Sequence, residues 1–112
     1  MASTPESKVK ARVVMQLRKV GAFYFFPQAG GFGKSGIPDI IACYRGVFIG
    51  IECKAGANKP TKLQEQKLEQ ISNAGGMTMV INEANIETVG KRLTDIADAI
   101  TFIPTAKERK QL

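Results

Sequence analysis

The stretch DIIACYRGVFIGIECK, residues 39–54, decides the fold. Its two halves, 39–44 and 47–54, are rich in Ile, Val, Phe and Tyr, with Arg45-Gly46 between them, so the segment reads as a β-hairpin. Inside the second strand stand Glu52 and Lys54, where burying charge is costly. If Tyr44 pairs with Val47, the antiparallel register carries Asp39 directly opposite Glu52. A four-residue turn closed by Cys43 and Phe48 preserves that pairing, and a turn of odd length breaks it. Side chains alternate along a strand, so Lys54 then shares the face of Glu52 and Asp39.

Directly opposed Cβ atoms lie roughly 4.5–5.5 Å apart. Two like charges near 4 Å repel by about 4 kcal/mol at an effective dielectric of 20. Something cationic therefore belongs between Asp39 and Glu52, and two candidates exist. Lys54 neutralises one carboxylate, or a divalent ion is held by both. Mg²⁺ suits the second arrangement, being a hard ion that takes oxygen ligands and few of them from protein. Such an ion activates a water and bears charge developing on a phosphodiester, with Lys54 orienting the water or stabilising the pentavalent phosphate.

Working outward, Thr4-Pro5-Glu6 reads as a helix start, with Val9, Val13, Leu17 and Val20 as the inward stripe and Gly21 as the stop. AFYFF (22–26) is strand-like and PQAGGFGKSGIP (27–38) a long loop. Thr61 opens a second helix through Leu68 and Ile71 to about Ala74, Gly75-Gly76 ends it, and MTMVI (77–81) is a strand. Asn82 caps a last helix with the stripe Ile86, Val89, Leu93 and Ile96, and the tail from Pro104 is polar and loose. The order α-β-β-β-α-β-α predicts an α/β fold, a small mixed sheet flanked by helices. The expected organisation is a single domain over 1–112, with a core of about 5–100 and a polar tail over 104–112.

Composition narrows the chemistry. With no histidine and two cysteines, Cys43 and Cys53, the chain lacks the common zinc frameworks and any Ser-His or Cys-His pair. The cysteines fall on opposite faces of the hairpin, so no disulfide is expected between them. A net charge of +6 favours polyanionic partners, nucleic acid first, although charge alone fits a merely basic surface as well. No apolar run is long enough for a bilayer, no membrane partner is expected, and MASTPESKVKAR lacks a signal peptide, which together point to the cytoplasm.

Further polar residues aim at the same place. Gln64 lies on the inward stripe of the second helix, four residues before Leu68, though Thr61-x-x-Gln64 also fits a capping box with a helix-end role alone. Glu6 lies on the inward stripe of the first helix, three residues before Val9, and is alternatively a helix-dipole acid paired with Lys10. GGFGKSG lacks the glycine spacing of a phosphate loop, but Lys34 and Ser35 within it are candidates to grip a DNA phosphate, as are Lys59 and Lys62. Cys53 matters through its main-chain carbonyl, between Glu52 and Lys54.

An acid opening one strand and E-x-K in its neighbour, here Pro38-Asp39 and Glu52-Cys53-Lys54, resemble the PD-(D/E)xK nuclease superfamily and its restriction-endonuclease-like fold. The wider stretches GIPDII (36–41), GIECK (50–54) and Thr61-x-x-Gln64, with Glu6 in the opening helix, resemble the VRR-NUC family, the virus-type replication-repair nuclease domain. The resemblance runs from about Pro5 to Glu83; Lys62-Leu63 departs from a Pro-Glu common there but falls outside the ligand set. It implies a Mg²⁺-dependent DNA endonuclease, with Mn²⁺ as substitute. Asp39, Glu52 and the Cys53 carbonyl hold metal, Lys54 serves catalysis, and Gln64 and Glu6 complete the site, Glu6 as a further metal ligand. A chain of this length resembles stand-alone phage and bacterial members that act as homodimers on branched DNA, including four-way (Holliday) junctions in recombination and repair. Symmetric cutting of two strands calls for two sites on a twofold axis. The alternatives are a flap, single-strand or nicking nuclease with the same site, a DNA-binding module that does not cut, and, more remotely, a nucleotide-binding protein built on GGFGKSG.

Overall fold

A computed structural model describes residues 3–28, 36–99 and 106–110. In chain order the elements are α1 (Pro5–Val20), β1 (Phe23–Phe25), β2 (Ile40–Tyr44), β3 (Val47–Cys53), α2 (Lys62–Asn73), β4 (Met77–Ile81), a 3₁₀ turn (Ile86–Thr88), α3 (Val89–Ala99) and the short α4 (Ala106–Arg109). The hairpin forms in the expected register, from Tyr44 opposite Val47 to Ile40 opposite Ile51. Arg45 and Gly46 both take positive φ, 53° and 87°. That twist matches the flanking strands and makes a two-residue turn the natural closure. β1 pairs antiparallel with β2, and β4 pairs parallel with β3, giving the order β1-β2-β3-β4. The sheet is therefore mixed and flanked by helices, the α/β architecture expected from the pattern.

α1 starts at a reciprocal cap. The Thr4 side chain accepts from the Ser7 N–H, and the Ser7 hydroxyl accepts from the Thr4 N–H. Its stripe of Val9, Val13 and Leu17 is buried against Ile40, Ala42, Ile49, Ile51 and Cys53 of the hairpin and Met79 and Ile81 of β4. Ile86, Val89 and Leu93 complete this core. The other sheet face carries α2, anchored by buried Leu68 and by Ile71. A Cβ on Gly50 would stand 2.7 Å from Ile71 Cδ1 and 3.3 Å from Pro38 Cγ, so the bare glycine lets α2 lie directly on β3.

Two expectations need correction. Asn82 does not cap a helix directly: its side chain accepts from the Ala84 N–H, Asn85 accepts from the Asn82 N–H, and α3 begins only at Val89 after the 3₁₀ turn. The tail is not wholly loose, since 106–109 form one helical turn. Between α2 and the outer strands runs a cavity of about 570 Å³ whose lining includes Phe25, Pro27, Ile41, Phe48 and Ile71. No helix among the described residues is long and apolar enough to cross a membrane.

Candidate functional site

The hairpin register, carried one step past Ile40 and Ile51, sets Asp39 opposite Glu52 on the α2 side of the sheet. Asp39 is moored there: its Oδ2 accepts the Cys53 N–H at 2.8 Å. Glu52 is only 1% exposed. Its Oε1 accepts a long hydrogen bond, 3.4 Å, from Gln64 Nε2, and its Oε2 is buried with no hydrogen-bond donor to it among the described residues. Burial first, and then the adjacent Asp39 carboxyl, push the Glu52 pKa up to about 8, with Lys54 pulling it down and Glu6 adding a smaller rise.

Gln64 makes contacts both at the helix cap and at Glu52. Its Oε1 accepts the Thr61 N–H at 2.8 Å while Thr61 Oγ1 accepts the Gln64 N–H, which closes the capping box. The remaining amide nitrogen reaches Glu52. One side chain therefore ties the start of α2 to the buried carboxylate. The loop entering β2 is fitted to the same turn, since Gly36 has φ +88° and a Cβ there would stand 2.5 Å from the Leu63 carbonyl oxygen. This close approach sets the distance from which Ile37, Pro38 and Asp39 are presented.

Lys54 is half-buried just beyond β3, its N–H donated to the Ile81 carbonyl at 2.9 Å. The following loop is tethered by Glu83, which accepts the Gly56 N–H at 2.8 Å. The Cys53 thiol is fully buried and its pKa is pushed up to about 12, by burial and then by Asp39 and Glu52. It stays protonated at neutral pH and is no nucleophile. Glu6 remains exposed in the first turn of α1, and its charge is felt at Glu52 and Cys53. It makes no pair with Lys10, whose ammonium lies over the Phe26 ring instead, 4.2 Å from the centroid. Lys59 and Lys62 are exposed near the start of α2, and Lys34 and Ser35 lie outside the described residues.

Among the described residues no three of His, Cys, Asp or Glu come together as a metal-ligating group. The donor set is two carboxylates with a neighbouring main-chain carbonyl. That set does not suit zinc, and it suits a hard divalent ion that keeps most of its own waters. The unpartnered Glu52 oxygen facing a second acid is the feature such an ion satisfies. Sequence reasoning passed over the Lys10–Phe26 contact, because it joins a helix to a strand edge and no local spacing encodes it.

Comparison with known proteins agrees with this architecture. Residues 8–90 match the family described as archaeal Holliday junction resolvase (Hjc). A relative from Acyrthosiphon pisum secondary endosymbiont phage 1, named "Putative nuclease p44", is 28% identical over 86 residues, covering 75% of this chain and 89% of its own. A solved VRR_NUC domain superposes with a TM-score of 0.60 at 19% identity, over 88% of this chain and all of that one, so the two share a fold. With the match running from α1 into α3, the chain belongs to the Hjc family of nucleases, on the fold of a VRR_NUC domain.

Proposed function

We propose that this chain is a metal-dependent endonuclease that cuts branched DNA, the four-way junction foremost, as a homodimer. One observation carries the reading: a buried carboxylate with an unpartnered oxygen stands beside a second carboxylate moored to the same strand. Asp39, Glu52 and the Cys53 main-chain carbonyl are the proposed holders of Mg²⁺, for which Mn²⁺ substitutes. When bound, the ion polarises a phosphate and lowers the pKa of the attacking water. Lys54 faces the charge that develops on the phosphate, and Gln64 keeps the Glu52 carboxylate turned toward Asp39. Glu6 lines the rim from α1, while Lys59 and Lys62 meet flanking phosphates; Lys34 and Ser35 belong to the same proposed DNA contact. The excess of 16 basic over 10 acidic residues supports a polyanionic substrate. The half-exposed Phe25 and Phe48 beside the apolar groove support a second copy as occupant.

The test is a panel of labelled four-way junction, flap, linear duplex and single strand, each with Mg²⁺, Mn²⁺ or EDTA. The expected result is paired cuts in the junction, lost in EDTA and in Asp39→Ala, Glu52→Ala and Lys54→Ala with binding largely kept. Preference for flaps or single strands would replace the substrate assignment. Binding without cutting under any metal would overturn the enzymatic reading.

A further inference from the structure

A second feature lies at the same end of the sheet, on its α1 side. Phe26 directly follows the Phe25–Ile41 pair, which sets it level with Ile40, one residue from Asp39. Neighbouring strands are about 4.8 Å apart, so this edge of the sheet stands roughly 5 Å from the strand that Asp39 opens and roughly 10 Å from β3, which carries Glu52. Ser7, Lys10, Val14, Met15, Arg18 and Phe26 surround a shallow cleft of about 430 Å³ there. Phe26 is 48% exposed and Met15 69%, apolar surface that folding leaves in water. Lys10 stacks over the Phe26 ring at 4.2 Å, and Tyr24 lies tilted against the same ring at 5.9 Å. Two residues further from Asp39, Arg18 Nε donates to the Tyr24 hydroxyl at 2.7 Å. Neither Lys10 nor Arg18 has a carboxylate partner among the described residues.

Unneutralised cations interleaved with open aromatic surface are what a nucleic-acid strand recognises, with phosphates on the cations and a base on the ring. A base offers its face to a side chain only where it has left the duplex stack, as at a branch point. We propose that Lys10 and Phe26, continued by Arg18 and Tyr24, form a subsite for an unpaired nucleotide of the strand next to the scissile phosphate. This rests on the reading that the acid pair receives that phosphate. Lys10 places its ammonium against the adjoining phosphate, and the exposed part of the Phe26 ring receives the base. The subsite shares no residue with the predicted contacts at Lys34, Ser35, Lys59 and Lys62. It gives the enzyme a means of preferring DNA whose stack is interrupted, as at a branch point, over a continuous duplex.

The experiment measures equilibrium binding by fluorescence anisotropy in EDTA, so that no cutting intervenes. The probes are a four-way junction, a thymine oligonucleotide and a linear duplex, and the proteins are wild type, Phe26→Ala, Lys10→Gln, Lys10→Arg and, as control, Lys91→Gln. Phe26→Ala is expected to weaken junction and oligonucleotide binding roughly 5- to 100-fold, leaving the linear duplex within about twofold by the same argument. Lys10→Gln is expected to lower the slope of log affinity against log salt by about 0.7–0.9, and Lys10→Arg to restore it. Phe26 is half exposed and outside the core, and unchanged melting temperatures confirm that the variants fold. Equal losses on all three probes, or none on any, overturn the subsite. If cutting is nonetheless abolished by Asp39→Ala, the active-site reading survives that failure; a wild type that binds no DNA overturns both.

Discussion

Glu52 is held where its charge is least welcome, and this has a measurable consequence before any DNA is added. The unfolded chain ionises it near 4.5, whereas the folded protein holds its proton until about 8. Between those values the folded state binds the extra proton, so stability falls as pH rises through the window and levels off above it. The full effect is about 5 kcal/mol at most, taking 1.36 kcal/mol per pKa unit. In EDTA the wild type should therefore melt at a lower temperature at pH 8 than at pH 5. Glu52→Gln should remove most of that difference and melt higher than wild type at pH 8 while cutting nothing. Added Mg²⁺ should raise the melting temperature of the wild type at pH 8 and leave Glu52→Gln unmoved. Equal pH slopes for the two proteins in EDTA would show that Glu52 is not strained by its setting.

At the scale of elements, the site is made by a hairpin turn and a helix cap. Gln64 serves both the cap and the carboxylate, and substitution separates the two roles. Gln64→Glu keeps an acceptor for the Thr61 N–H but loses the donor to Glu52 and adds a third acid to the site. It should preserve the cap and reduce cutting at least tenfold by weakening the hold on Glu52, a step of about 1.4 kcal/mol. Gln64→Ala should lose both, costing about 1 kcal/mol of stability besides; thermal melts and junction cleavage rates separate the outcomes. The meeting of Asp39 and Glu52 was legible in the sequence because the two-residue turn at Arg45-Gly46 propagates register by strict alternation. Thr4, Thr61 and the stripe Val9-Val13-Leu17 were legible for the same reason, being local chemistry at fixed spacing. The parallel pairing of β4 beside Glu52 was not, since it is long-range and leaves no local signature. Asn82 misled because Asn side chains cap turns as readily as helices, and here it closes a turn with Asn85. The four-residue helix at 106–109 is too short to show a period. Lys10 was weighed only against Glu6 within its own helix, and its aromatic partner came from another element.

Over the whole molecule, the two sides of the sheet present different surfaces toward the end where Asp39 lies. The α2 side carries the acid pair and the apolar groove, and the α1 side carries the Lys10–Phe26 cleft. If the groove seats a second copy, sedimentation should show a dimer at micromolar concentration, and Phe48→Lys should shift it to monomer with little loss of thermal stability, since Phe48 is 49% exposed. A dimer untouched by Phe48→Lys would place the interface elsewhere. Everything said of cutting depends on one shared ion between two acids from adjoining strands. The most direct measurement is anomalous diffraction from a crystal soaked in Mn²⁺. A peak within coordination distance of both the Asp39 and Glu52 carboxylates, absent from Glu52→Gln, is the predicted result. A fully soaked crystal with no peak there, or with the Glu52 carboxylate held by Lys54 alone, would contradict it.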